Sequence, residues 1–123
     1  MKKIILYLLI ITFVSCKNET KEKEVQPADA SAVKVSGKEL FEGKGNCIAC
    51  HQPNQKIIGP SIQEIATIYK AQNANIVLFL KGEGKPIVDP SQYEIMKTNF
   101  AITKSMTDEE LQALEDYMYS FLK

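Results

Sequence analysis

The spacing of apolar positions changes character several times along the chain. Ile4 through Val14 form a nearly continuous apolar run of 11 residues. Lys17 to about Lys34 (KNETKEKEVQPADASAVK) then has almost no large apolar side chain. From Val35 onward the spacing becomes helical. Ser36 with Glu39 forms a capping box, and Leu40 and Phe41 open an apolar stripe that stops near Gly43 and Gly45. Gln52 to Gly59 reads as a loop. Pro60 then precedes a second helix from Ser61 to about Lys70, with Ile62, Ile65, Ile68 and Tyr69 on one face. A third helix is expected from about Asn73 to Lys81, ending at Gly82. Residues 82–105 hold Gly82, Gly84, Pro86 and Pro90 without a sustained period, and are expected to form one long loop. Such a loop is unusual in a small helical domain unless it wraps the open face of a bound group. Thr107 and Glu110 form a second capping box, followed by a helix with Leu111, Leu114, Met118, Phe121 and Leu122 on one side. No stretch alternates like a strand, and no internal repeat is visible. The expected fold is all-α, with about four short helices.

Length and composition sharpen this picture. A chain of 123 residues has room for one small domain. Lys2 and Lys3 ahead of the apolar run resemble the start of an export signal, and 11 residues fall short of the ~20 needed to span a bilayer. The run ends at Phe13-Val14-Ser15-Cys16, which resembles the lipobox of bacterial lipoproteins, although Phe13 stands where Leu is usual. Residues 1–16 are therefore expected to be a signal peptide, with Cys16 the site of lipid attachment. Ordinary secretory cleavage that leaves Cys16 a bystander is the alternative. Residues 17–34 cannot bury enough surface to fold and are expected to be a tether reaching roughly 20 to 25 Å. The folded domain is expected over 35–123. Formal net charge is zero, and without Lys2 and Lys3 it becomes −2, which argues against a nucleic-acid partner.

The chemistry concentrates in Cys47-Ile48-Ala49-Cys50-His51. C-x-x-C-H is the attachment motif of c-type haem. Its two sulfurs reach the vinyl groups on one ring edge, and the histidine ligates iron. A redox dithiol would want a preceding strand and a βαβ setting, and neither is visible. A zinc site would need four ligands, yet no second C-x-x-C exists and His51 is the only histidine. Of the three cysteines, two belong to the motif and Cys16 sits at the lipobox, so no disulfide is expected.

The identity of the second axial ligand decides what such an iron does. Bis-histidine ligation within the chain is excluded. Met96, Met106, Met118 or an open position remain once Met1 leaves with the signal. Met106 falls just before the last helix, where it can pack on Leu111, and Met118 lies on that helix's apolar stripe. Met96 lies in the expected loop, where no helical packing demands it, and is assigned the distal position, with Met106 second.

With these residues in view, Val35 to Lys123 resembles a class I cytochrome c domain. Gly37-x-x-x-Phe41 is similar to the family's N-terminal helix motif, whose aromatic meets a tyrosine of the last helix, here Tyr117. Gly59-Pro60 resembles the family's Gly-Pro, which implies that Pro60 O accepts a hydrogen bond from His51 and fixes its tautomer. Lys97 follows Met96 where many relatives have Pro. Arg and Trp are absent, so haem propionates would have to meet Lys, Tyr, Asn or backbone.

The expected cofactor is one covalent haem c held through Cys47 and Cys50, with iron on His51 and Met96. An apolar shell of Ile62, Ile65, Leu78, Phe79, Ile87 and Phe100 is expected around it, Ile62 and Phe79 foremost. The function this implies is a monomeric, membrane-tethered electron carrier on the periplasmic or cell-envelope side, neither enzyme nor sensor. It would exchange single electrons with an oxidase, reductase or dehydrogenase. The competing readings are a five-coordinate haem enzyme or gas sensor, in which all three methionines only pack, and an exported dithiol protein.

Overall fold

The computed structural model describes residues 35–122. The expected signal peptide, Cys16 and the tether lie outside the described residues. Six α-helices follow in order: α1 (Gly37–Glu42), α2 (Ile62–Ala71), α3 (Ile76–Leu80), α4 (Tyr93–Lys97), α5 (Phe100–Thr103) and α6 (Asp108–Tyr119). Single 3-10 turns occupy Cys47–Ala49 and Pro90–Gln92. Among the described residues there is no strand, only an isolated antiparallel bridge between His51 and Lys56. The fold is all-α. No described helix is long and apolar enough to cross a membrane.

The caps follow from residue chemistry. Ser36 Oγ accepts from Glu39 N–H at 3.3 Å, and Ser61 Oγ accepts from Glu64 N–H at 3.1 Å. Asn75 Oδ1 accepts from Leu78 N–H at 2.6 Å. That cap is why α3 begins at Ile76 rather than near Asn73, which itself takes a left-handed φ of 48°. Thr107 and Glu110 satisfy each other's backbone N–H at 3.2 and 2.9 Å, completing the expected capping box.

Helix α6 is the spine, packing on α1, α2 and α3. At its crossing with α1 the backbones nearly touch. A Cβ added to Gly37 would overlap the Ala113 carbonyl and lie 2.8 Å from Tyr117 Cβ, so hydrogen is the only side chain that fits. Phe41 then meets Tyr117 with ring centroids 5.4 Å apart, the pairing the family resemblance implies. Between α6 and α3, the buried Glu115 accepts from Ile76 N–H at 3.0 Å, so a carboxylate within the core is hydrogen-bonded rather than stranded. Phe41, Ile62, Ile76, Leu80, Leu111 and Leu114 are almost wholly buried.

The segment 82–105 departs from the expected single loop. Its first part is irregular, but α4 and α5 fill 93–103. Tyr93, Met96, Phe100 and Thr103 are in fact spaced three, four and three apart, a helical register hidden by the glycines and prolines before it. Helices of five and four residues are unstable alone and exist because they are packed. Phe79 of α3 meets Phe100 at 5.4 Å and Tyr93 at 6.3 Å between centroids. Thr103 Oγ1, fully buried, donates to Leu80 O at 2.6 Å.

Candidate functional site

The motif is presented by a tightly wound turn. Gly45 N–H bonds to Leu40 O at 2.7 Å, and Asn46 adopts a left-handed φ of 50° that redirects the chain into the Cys47–Ala49 turn. Cys50 and His51 N–H both reach Cys47 O, at 3.1 and 3.0 Å. Cys47, Cys50 and His51 are thereby held on one short arc. Cys47 and Cys50 are not joined in a disulfide, and burial pushes the Cys47 thiol up to about 11.

His51 is gripped from two sides. Its Nδ1 lies 2.7 Å from Pro60 O. A carbonyl can only accept, so Nδ1 carries the proton and Nε2 keeps a lone pair. Gly59 lies against the ring: an added Cβ would sit 2.5 Å from Cε1 and 2.8 Å from Nδ1. Burial holds the imidazole below its ordinary pKa, against the smaller opposing pull of the Pro60 bond, so the ring is the neutral ligand form at pH 7.

Cys47, Cys50, His51, Pro60, Phe79 and Met96 all line one largely apolar cavity. Ile62 does not. It is 1% exposed and faces the core, while Ile65, one helical turn on, takes the cavity wall. A stripe of isoleucines cannot by itself say which of two neighbours meets the core and which the cofactor. Of the rest of the expected shell, Ile87 lines the cavity, Phe100 is buried behind Phe79, and Leu78 is 44% exposed. Met96 stands on α4, not in a loop. Met106 is buried in the core away from the cavity wall, whereas Met118 is both core and wall.

Several polar residues lining this cavity escaped the sequence reading. Asn99 Nδ2 donates to Gly45 O at 3.1 Å, tying the start of α5 to the loop before Cys47. Asp89 accepts from Lys56 Nζ at 2.7 Å. Asn46, Gln92 and Thr98 line it as well. The partners of Asn99 and Asp89 lie 54 and 33 positions away, so no local signal could have paired them. Among the described residues no group of three or more His, Cys, Asp or Glu side chains is placed to hold a metal ion.

A thiol pair, a neutral imidazole with its second nitrogen already bonded and a thioether, all lining one apolar cavity, fit a covalently attached haem. The comparisons agree. The family model for cytochrome c matches residues 35–121, and the chain belongs to the cytochrome c family. The family's covalent haem c, with its iron, fits Cys47, Cys50 and His51. The chain is 39% identical over 41 residues to cytochrome c-551 of Pseudomonas denitrificans, a match covering 33% of this chain and 49% of that protein. It is 38% identical over 60 residues to cytochrome c-552 of Nitrosomonas europaea, covering 46% and 57%. It is 59% identical over 29 residues to cytochrome c2 of Rubrivivax gelatinosus, covering 24% and 34%. The chain thus spans between about a third and somewhat over half of the curated relatives it matches.

Proposed function

We propose that this domain carries single electrons between protein partners, using one haem c ligated by His51 Nε2 and the Met96 thioether. Haem c, when bound, supplies the ferric–ferrous couple. Every other part of the task falls to the chain. Cys47 and Cys50 hold the ring edge by thioethers, and Pro60 O, accepting from Nδ1–H, keeps Nε2 aimed as a ligand. Met96 offers a soft sulfur that favours the ferrous state and raises the potential relative to two imidazoles. With His51 and Met96 both holding the iron, oxygen and peroxide would meet no open position. Ile65, Phe79 and Ile87 exclude water and further disfavour the extra positive charge of the ferric state.

The observation that carries this reading is the 2.7 Å contact between His51 Nδ1 and Pro60 O, in a cavity whose wall also holds Met96. We further propose export by residues 1–16, lipid on Cys16, and residues 17–34 as a tether that holds a monomeric domain near a membrane on the periplasmic or cell-envelope side. Contacts with the donor and acceptor would be small and transient, made at the ring edge beside Cys47 and Cys50. The oxidised protein should show low-spin haem with a thioether-to-iron charge-transfer band, and should not bind carbon monoxide without losing a ligand. Met96→Ala should abolish that band and leave a high-spin or ligand-exchanged iron. An unchanged spectrum in Met96→Ala would sink the assignment, and a colourless exported protein would sink the function.

A further inference from the structure

Lys56 and Asp89 join the two segments from which the proposed axial ligands hang. Lys56 lies in the loop after the motif, its backbone bridged to His51. Asp89 immediately precedes the Pro90–Gln92 turn that feeds α4 and Met96. Their side chains meet at 2.7 Å, but the two charges are not equivalent. Asp89 is 17% exposed and lines the cavity, whereas Lys56 is 56% exposed and stands outside the wall. Ser91 Oγ also donates to Asp89, and Lys56 holds its carboxyl below the usual carboxylate range, so the anion is present at neutral pH. Lys56 feels Glu64 of α2 as a second, weaker acidic neighbour.

Resting on the haem reading above, we propose that this pair is a built-in regulator of the reduction potential, with its negative end turned toward the cofactor and its positive end toward water. Coulomb interactions fall with distance and are screened most at the exposed end. Asp89 therefore outweighs Lys56 and stabilises the ferric state, and Lys56 offsets part of that effect. Both residues act through space as charges rather than as ligands. An exposed ion pair with no such role would contribute little to anything.

The test is spectroelectrochemical titration of the haem-loaded protein at low salt, for Asp89→Asn, Lys56→Gln and the double variant. Asp89→Asn is expected to raise the potential, Lys56→Gln to lower it, and the double variant to fall between the two. Asp89→Glu should stay near the parent, and the shifts should shrink at high salt. If both single variants move in the same direction, the pair is only a clasp whose loss loosens the crevice. If neither moves, it is an idle surface contact. Either result overturns the inference. Should Asp89→Asn not fold, Lys56→Gln decides alone, and a potential at or above the parent's overturns it. A parent protein without covalent haem would show itself in the first absorbance spectrum, and would bring down the functional reading together with this one.

Discussion

The two walls of the cavity are built by different means. The proximal wall, 45–61, is held by backbone. Gly45, Cys50, His51 and Gly59 N–H all find main-chain acceptors, and Gly59 admits the imidazole where a methyl group would not fit. The distal wall, 82–106, is held by side chains: the Phe79–Tyr93–Phe100 cluster, the Thr103 hydroxyl and the Asn99 amide. Main-chain bonds within a short turn depend on few other residues. Side-chain packing between helices of four and five residues depends on many, so the distal wall is where local opening should begin. Under the ligation proposed above, the contrast would make His51 the fixed ligand and Met96 the adjustable one.

The largest expected effect comes from removing the distal packing. Phe100→Ala deletes a buried aromatic and should cost about 3–5 kcal/mol. The thioether band should vanish at a lower temperature than the helical circular dichroism, while His51 ligation persists; simultaneous loss would erase the contrast. Next is Gly59→Ala, which forces a methyl group into the His51 ring and should cost about 1–3 kcal/mol as overpacking. Here the proximal ligand should suffer first, seen as an altered imidazole–iron stretch by resonance Raman. The smallest effect concerns the Lys44–Glu110 pair (2.6 Å), which links the proximal loop to α6. The Lys44 ammonium, then the Thr107 N–H, hold the Glu110 carboxyl below the usual range. Its contribution is therefore complete above the unfolded value of about 4.3 and fades as pH falls through the lower folded value. Glu110→Gln should flatten the acid limb of a Tm-against-pH curve below pH 4.3 and preserve both ligands.

Much of the proximal wall was legible because its logic is local. Cys47, Cys50 and His51 are neighbours in sequence, and the Ser36 cap and the Thr107–Glu110 capping box each announce themselves three residues apart, although Glu39 does not return the bond that would complete a box at Ser36. Pro60 entered through its family resemblance and is seen to touch His51 Nδ1. The distal wall was less legible. Helices α4 and α5 are shorter than the window over which periodicity carries weight, and tertiary contacts, not propensity, hold them. The choice between Ile62 and Ile65 turned on how α2 rotates against α6, which a one-dimensional stripe cannot record. Lys56 with Asp89, and Asn99 with Gly45, meet only after the chain has closed round the cavity.

That closure has a temporal side. Gly37 and Ala113 touch, so the first helix of the domain cannot dock until the last one has emerged and swung back across it. Loop closure over such a separation is among the slower steps of folding a small helical protein. Until that crossing forms, the cluster that buries Cys47 with Leu40, Phe41, Leu111 and Leu114 is incomplete, so its sulfur is more accessible in the unfinished chain than in the folded one.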